Sequence, residues 1–265
     1  MSKFDGTAEN YRKYRPGIPA EVADLLVAAT PQRSPRRLLD VGTGTGLVVK
    51  ALINEFDDVV AFDTDTGMLQ EAEDCLRPLV RVGSSLMLER GSAETFLPHA
   101  DWRADLVTIC RAFHWLDQEA VLKRLDAQVS VDGVVAIFGD NSFWASSNPW
   151  KDLVRDLIKS YLGEERRAGD SVFKHHNRPY SEIMAESPFS VVTEHVVPVE
   201  RIWTANGILG YLYSTSFATP RLFGDRLAEF DAAARDLLAS LSADDRFVEA
   251  NEFLIRIGKR PQLLV

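Results

Sequence analysis

The chain is expected to fold as an α/β protein built on a mostly parallel sheet, and three observations predict this. Short apolar runs alternate with helical patterns from about residue 35 to residue 140, the rhythm of βαβ units. The first such run passes directly into a glycine-rich loop, Gly42-Thr43-Gly44-Thr45-Gly46. A later run, Ala104 to Cys110, is almost continuously apolar, as a strand covered on both faces must be.

Taken in order, Arg37 to Val41 reads as the first strand, and the loop follows it without a linker. Leu47 to Phe56 carries Leu47, Val48, Ala51, Leu52 and Phe56 at helical spacing. Asp58 to Phe62 is a second strand ending at Asp63, and Thr66 to Arg77 a second helix. A short strand lies near Met87 to Arg90, and Gln118 to Val129 reads as a helix. A fifth strand, Gly133 to Phe138, starts at the Asp132-Gly133 turn. Beyond Gly139 the rhythm breaks. Pro149, Gly163, Gly169, Pro179 and Pro188 punctuate residues 141 to 188, with one helical stretch at Trp150 to Leu162. Val191 to Ile202 and Phe253 to Ile257 read as two more strands, with helices between them at Asn206 to Ser214 and Arg226 to Leu241. A single domain over residues 1–265 is expected. Residues 35–140 form its cofactor-binding core, and residues 1–20 and 141–220 its lid and substrate-binding segments.

Composition narrows the function. The 265 residues are 46% hydrophobic and 26% charged, with a net charge of -9, which argues against a sequence-independent nucleic-acid binder. It favours, slightly, a neutral or cationic small molecule over a polyanion. The two cysteines, Cys75 and Cys110, make neither a disulfide framework nor a zinc site. His175-His176 lacks a nearby third ligand, so no metal is expected. The polar N-terminal stretch has no signal-peptide pattern, and no apolar run reaches the roughly 18 residues of a membrane span. These features predict a cytoplasmic protein, monomeric or homodimeric, with no membrane or nucleic-acid partner.

The glycine loop carries the chemistry. Glycines at 42, 44 and 46 permit a tight turn, close approach of a ligand to bare backbone, and free N–H groups at a helix start. Asp63, ending the next strand, stands where an acidic side chain accepts hydrogen bonds from the hydroxyls of an adenosine ribose. The spacing is G-x-G-x-G rather than the G-x-G-x-x-G of dinucleotide sites, and no NTP-type G-x-x-x-x-G-K-[ST] loop occurs.

With those residues set out, the sequence resembles the class I methyltransferases. Asp40-Val41-Gly42-Thr43-Gly44-Thr45-Gly46 is similar to their first motif, and Asp63-Thr64-Asp65-Thr66-Gly67-Met68-Leu69 to their second. Gly91-Ser92-Ala93-Glu94 with Pro98 is similar to a third, and Arg111 to Asp117 to a fourth. The last of these, together with Tyr11 to Pro16, is similar to the small-molecule branch that includes trans-aconitate-type enzymes. The resemblance implies a Rossmann-like sheet of seven strands, the last antiparallel, with a helical lid. It also implies S-adenosylmethionine as cofactor and S-adenosylhomocysteine as product.

By the same resemblance, Gly42, Thr43, Gly44 and Gly46 contact the methionine part of the cofactor, with Asp40 just before them. Asp63 takes the ribose, Thr64 and Met68 flank the adenine, and Ser92 and Ala93 meet its edge. Ser92 stands where an Asp is commoner, leaving Glu94 or a backbone carbonyl as the substitute acceptor. Arg111 and Ala112 lie near the amino-acid end. Tyr14 and Arg15 are expected to close over the cofactor carboxylate, where a guanidinium fork fits.

Methyl transfer from a sulfonium needs orientation first and a base only sometimes. His114 is the candidate base, against the alternative that it packs beside Trp115. Tyr11, Asp140, Asn141, Trp144, His175, His176 and Phe217 are the candidate acceptor-binding residues. The acceptor itself, a natural product or small metabolite methylated at O or N, is not specified. Competing readings are an NAD-dependent oxidoreductase and a non-catalytic nucleoside-binding protein.

Overall fold

The computed structural model describes residues 6–99, 101–145, 148–168, 171–172 and 178–262. A seven-stranded sheet runs in the order β3-β2-β1-β4-β5-β9-β8. Its strands are β1 (Arg37–Val41), β2 (Asp58–Asp63), β3 (Ser85–Arg90), β4 (Ala104–Cys110), β5 (Val129–Asp140), β8 (Val191–Trp203) and β9 (Phe247–Lys259). A two-residue ribbon, β6 (Arg167–Ala168) with β7 (Ser171–Val172), pairs antiparallel. The helices are α1 (Ala8–Tyr14), α2 (Ala20–Ala29), α3 (Leu47–Leu52), α4 (Thr66–Leu76), α5 (Gln118–Leu125), α6 (Pro149–Leu162), α7 (Tyr180–Ala185), α8 (Ala205–Tyr213), α9 (Pro220–Phe223) and α10 (Leu227–Leu241).

The chain divides into two compact units. One comprises Gly17–Asp140, His176–Val197 and Phe253–Val265. In it β1 pairs parallel with β2 and with β4, Leu38 facing Val59 on one side and Leu106 on the other. Residues Ala104 to Ile109 of β4 are all buried, as its apolar run demands. The expected antiparallel last strand is present: β9 runs against β5, from Val134 opposite Lys259 to Asp140 opposite Phe253.

Several boundaries differ from the sequence reading: β9 starts at Phe247 rather than Phe253, α5 ends at Leu125 rather than Val129, β3 starts at Ser85 rather than Met87, and two more follow. The helix after the glycine loop ends at Leu52, and Ile53–Glu55 continue as a 3-10 turn. The strand expected at Gly133 begins earlier, at Val129, with an irregularity in its register against β4. Gly133 is needed inside that irregularity: a Cβ there would lie 2.7 Å from Val129 Cγ1 and 2.8 Å from the Ala104 carbonyl. Asp132-Gly133 therefore marks a bulge within the strand rather than its start.

The second unit comprises Met1–Pro16, Asn141–His175 and Pro198–Glu252. Its core gathers Phe143, Val154, Leu209, Leu212, Phe217, Phe230 and Leu238, and each fully buried side chain of this size contributes about 1.5–3 kcal/mol. Helix α6 starts where Asn148 accepts from the Trp150 N–H with Pro149 in its first turn, and it stops at Gly163, φ 89. Residues 176–197, part of the stretch expected to form a lid, group with the sheet, and residues 221–252 group with residues 141–175. Among the described residues, no helix is long and apolar enough to cross a membrane.

Candidate cofactor site and acceptor residues

In the sheet unit, the glycine loop is held from below. The Gly42 and Thr43 N–H groups both donate to the Phe62 carbonyl at 3.0 Å, and the Gly46 N–H donates to the Thr43 carbonyl at 2.9 Å. All three glycines have left-handed φ: 69° at Gly42, 54° at Gly44 and 81° at Gly46. At two of them space is as restrictive as conformation. A Cβ on Gly42 would meet Ala112 Cβ at 2.9 Å, and one on Gly46 would meet Leu76 Cδ1 at 2.6 Å. Leu76 is fully buried, so it has nowhere to turn.

Asp63 ties the loop to the end of β2. Its Oδ2 accepts from the Gly44 N–H and its Oδ1 from the Asp65 N–H, each at 2.9 Å. Each oxygen keeps a second lone pair for a ligand. Burial pushes the carboxyl above its usual range, against the pull of those two N–H donors.

Asp40 is almost fully buried one strand residue before the loop. Its Oδ1 accepts from the Thr108 hydroxyl at 2.7 Å. Its Oδ2 and the hydroxyls of Thr43 and Thr45 are buried and make no hydrogen bond of ordinary length, though the Thr43 hydroxyl lies near enough to Asp40 to work against the effect of burial on its carboxyl. Burial pushes this carboxyl up to about 6. Unsatisfied buried polar atoms are rare in folded proteins, so a cluster at one strand end whose hydrogen-bonding capacity is not filled calls for a ligand to complete it.

The remaining cofactor candidates of the sheet unit follow from β2 and β4. Met68 is buried in the first turn of α4, which Asp65 caps by accepting from the Gly67 and Met68 N–H groups. Thr64 beside it is exposed. Ala93 lies in the core, and the Ser92 and Thr95 hydroxyls pair at 3.1 Å. One Glu94 oxygen accepts from the Asp117 N–H at 3.3 Å. Hydrogen bonds outweigh the burial that would raise this carboxyl and hold it below its usual range. Arg111 has φ 55, uncommon for a residue with a side chain. Its N–H donates to the Phe138 carbonyl at 3.0 Å and its Nε to Asp140 Oδ1 at 2.7 Å. This bend sets Ala112 against Gly42, and it commits Asp140 to an ion pair. His114 lies in a 3-10 turn, Phe113–Trp115, half-buried with its ring 4.4 Å from that of Trp115.

The sequence reading missed Thr108 and Thr45. Thr108 had a signal: it is a polar interruption in the apolar run of β4, and the register sets it opposite Asp40.

In the other unit, Tyr14 lies against α8, where a Cβ on Gly210 would come within 2.2 Å of its ring. Its hydroxyl accepts from Asn206 Nδ2 at 3.3 Å. Arg15 donates from Nε to Ser214 Oγ at 2.9 Å and stacks between Tyr11 and Tyr211, at 4.8 and 4.7 Å. Arg15→Ala removes this clamp and is expected to loosen α1 by about 1–2 kcal/mol. Faster amide exchange confined to residues 8–15 is the measurement that checks it.

Asn141 is tethered on both sides of its peptide. Its N–H donates to Asn251 Oδ1 at 3.1 Å, and its carbonyl accepts from Asn251 Nδ2 at 3.2 Å. Trp144 and Phe217 meet edge to face at 5.5 Å. His175 and His176 lie outside the described residues. Among the described residues, no cluster of His, Cys, Asp and Glu is built to hold a metal ion.

Comparison with known proteins joins these geometries to a chemistry. Residues 39–137, from β1 through most of β5, match the methyltransferase domain family. The chain carries a methyltransferase domain whose cofactor is S-adenosylmethionine. An uncharacterized methyltransferase of Mycobacterium tuberculosis is 26% identical over 214 residues, covering 81% of this methyltransferase and 76% of that protein. The malonyl-[acyl-carrier protein] O-methyltransferase of Halorhodospira halophila is 30% identical over 178 residues, 64% of this chain and 58% of that one. A solved structure from Anaeromyxobacter dehalogenans, described as a type II methyltransferase, shares the fold. Its TM-score is 0.57 at 23% identity, over 93% of this chain and 98% of that one. The methyltransferase match sets aside the oxidoreductase and the non-catalytic readings.

Proposed function

We propose that this methyltransferase acts on an O or N atom of a small-molecule acceptor, with the glycine loop and Asp63 as its cofactor site. One observation carries the placement of that site. Three buried polar atoms, Asp40 Oδ2, Thr43 Oγ1 and Thr45 Oγ1, make no hydrogen bond of ordinary length beside a loop that tolerates no side chain at Gly42 or Gly46. These residues fit a ligand with a charged amino-acid end and a sugar carrying two hydroxyls. The bound sulfonium supplies an electrophilic methyl group with a good leaving thioether.

The chain's own residues orient it. The backbone of Gly42, Thr43, Gly44 and Gly46 with Asp40 holds the amino-acid end, beside Arg111 and Ala112. Asp63 takes the ribose hydroxyls on its spare lone pairs. Thr64 and Met68 bracket the base, and Ser92 and Ala93 meet its edge. Glu94, whose carboxylate already accepts from the Asp117 N–H, lies beside that edge. His114 takes a proton where the acceptor needs one removed. Asp140, paired with Arg111, acts by fixing that turn rather than by meeting the acceptor. A small acceptor accords with the acidic net charge of -9, which disfavours nucleic acid.

Calorimetric titration with S-adenosylhomocysteine and with NAD tests the site. Binding of the first alone is expected. Asp63→Ala is expected to weaken it by roughly 30-fold, about 2 kcal/mol, since the variant loses both the ribose acceptors and the brace on Gly44. Unchanged affinity in this variant would move the cofactor elsewhere. Labelled cofactor incubated with natural-product and metabolite pools then identifies the acceptor, and labelling of a macromolecule alone would overturn the substrate class.

A further inference from the structure

Asp40 stands in β1 between two flanking strands, and its register neighbours on them are Ala61 of β2 and Thr108 of β4. Of the two, only Thr108 has a side-chain donor. Thr108 is fully buried, and its branched side chain has few χ1 positions open to it. Its hydroxyl carries one proton. Two oxygens lie in reach, Asp40 Oδ1 at 2.7 Å and the Leu39 carbonyl at 3.5 Å, and the nearer, charge-bearing one takes it. Without such a bond a carboxylate is loosely held, because its terminal torsion is broad and two-fold. With it, Oδ1 is fixed on β4. Oδ2 is left buried and making no hydrogen bond of ordinary length, with the Thr43 hydroxyl nearby.

We propose that Thr108 is a positioning residue for the cofactor: by holding Asp40 Oδ1 it presents Asp40 Oδ2 to the ammonium of the cofactor's amino-acid end. Thr108 acts through Asp40 and does not itself meet the ligand. This rests on the reading of the glycine loop as the cofactor site. The same bond favours the ionised carboxyl, against the burial and the Asp63 charge that favour its protonation. Cys110 of β4, which feels the same carboxylate, stays neutral, since burial pushes its thiol up to about 12.

Thr108→Val keeps the branched shape and loses the donor, whereas Thr108→Ser keeps the donor and loses a methyl group. S-adenosylhomocysteine is titrated calorimetrically into the full chain and both variants from pH 5 to 9. Thr108→Val should bind roughly fivefold more weakly on the alkaline plateau. Its rise in affinity should also move to higher pH by about one unit, a roughly tenfold change in the protonation equilibrium. Thr108→Ser should keep the wild-type profile. Denaturant melts without ligand read the same bond independently of the cofactor. Removing the donor raises the folded carboxyl further above its unfolded value, so stability falls more steeply as the pH rises. Relative to wild type, the folding equilibrium of Thr108→Val should therefore fall about tenfold more at pH 8 than at pH 5. Two results would overturn the proposal in favour of packing: Thr108→Val within about twofold of wild type in both measurements, or Thr108→Ser as impaired as Thr108→Val. Failure of the wild type to bind, with the melts as expected, would instead overturn the cofactor reading and leave the Thr108–Asp40 bond established.

Discussion

Gly42→Val is expected to weaken S-adenosylhomocysteine binding by about a thousandfold, roughly 4 kcal/mol, while the protein remains folded. The first cause is the backbone. At φ 69 an L-residue suffers a clash between its Cβ and the following carbonyl, worst for a β-branched side chain. The second is space. The new Cβ would lie 2.9 Å from the Cβ of Ala112, an atom fixed to the main chain that no rotamer change can move. Relief therefore requires a shift of the loop or of the Arg111-Ala112 turn. That turn is held by the bond from Arg111 N–H to the Phe138 carbonyl and by the Arg111–Asp140 pair. The loop gives way first, and its N–H groups leave the positions in which they meet the ligand. Gly83→Ala is the control: φ there is 89, but nothing lies within 4 Å of the added Cβ, so strain arises without displacing the loop. Calorimetry and thermal melting on both variants check the claim. Affinity for Gly42→Val within about threefold of wild type would show that the loop does not carry the cofactor.

How far the sequence exposes this arrangement varies by element. The bounds of β4 are legible to the residue because a strand buried on both faces leaves a mostly apolar run, broken at Asp105 and Thr108, that Arg103 and Arg111 close at its two ends. The glycine loop is legible because three positive-φ positions admit little but glycine. The start of β5 is hidden, since Asp132-Gly133 reads as a turn while the register irregularity absorbs it inside the strand. Helix α7 is hidden for another reason. It has six residues, too few for a periodic pattern, and it is fixed by tertiary packing, Ile183 and Met184 entering the sheet unit's core. Of the candidate site, the residue types at strand ends are readable, but their commitments are not. Nothing in the spacing of Arg111 and Asp140 shows that the two hold each other. Likewise, the Trp144 indole reads only as an aromatic wall until its N–H is seen to lack an acceptor.

Asp40→Asn is expected to stabilise the ligand-free protein at pH 7.5 and to weaken cofactor binding at the same time. Asp40 is 1% exposed, and burial raises its carboxyl to about 6 from an ordinary value of 3.8. A carboxyl whose folded value lies above its unfolded one holds its proton more tightly when folded. Its contribution to stability is therefore fully present below pH about 4 and is lost as the pH rises through about 6. At pH 7.5 the loss reaches about 3 kcal/mol, the difference between those two values at 1.36 kcal/mol per unit. Asparagine has nearly the same shape, can still accept from the Thr108 hydroxyl, and carries no charge to desolvate. The gain should therefore vanish in denaturant melts at pH 4 and be largest above pH 7. Binding changes in the opposite sense, because the cofactor brings a cationic ammonium and sulfonium that favour the ionised carboxylate. Wild-type affinity should rise with pH through about 6 and then level, whereas the Asn variant should be flat and roughly tenfold weaker on the plateau. Denaturant melts and calorimetry across pH 4 to 8 measure both halves. If Asp40→Asn lost stability at pH 7.5, or kept the wild-type pH profile of binding, Asp40 would be a packing residue rather than a charge held in strain for its ligand. The paired outcome instead means that the fold carries a destabilising buried carboxylate at the end of β1, and that the cofactor's positive charge is what relieves it.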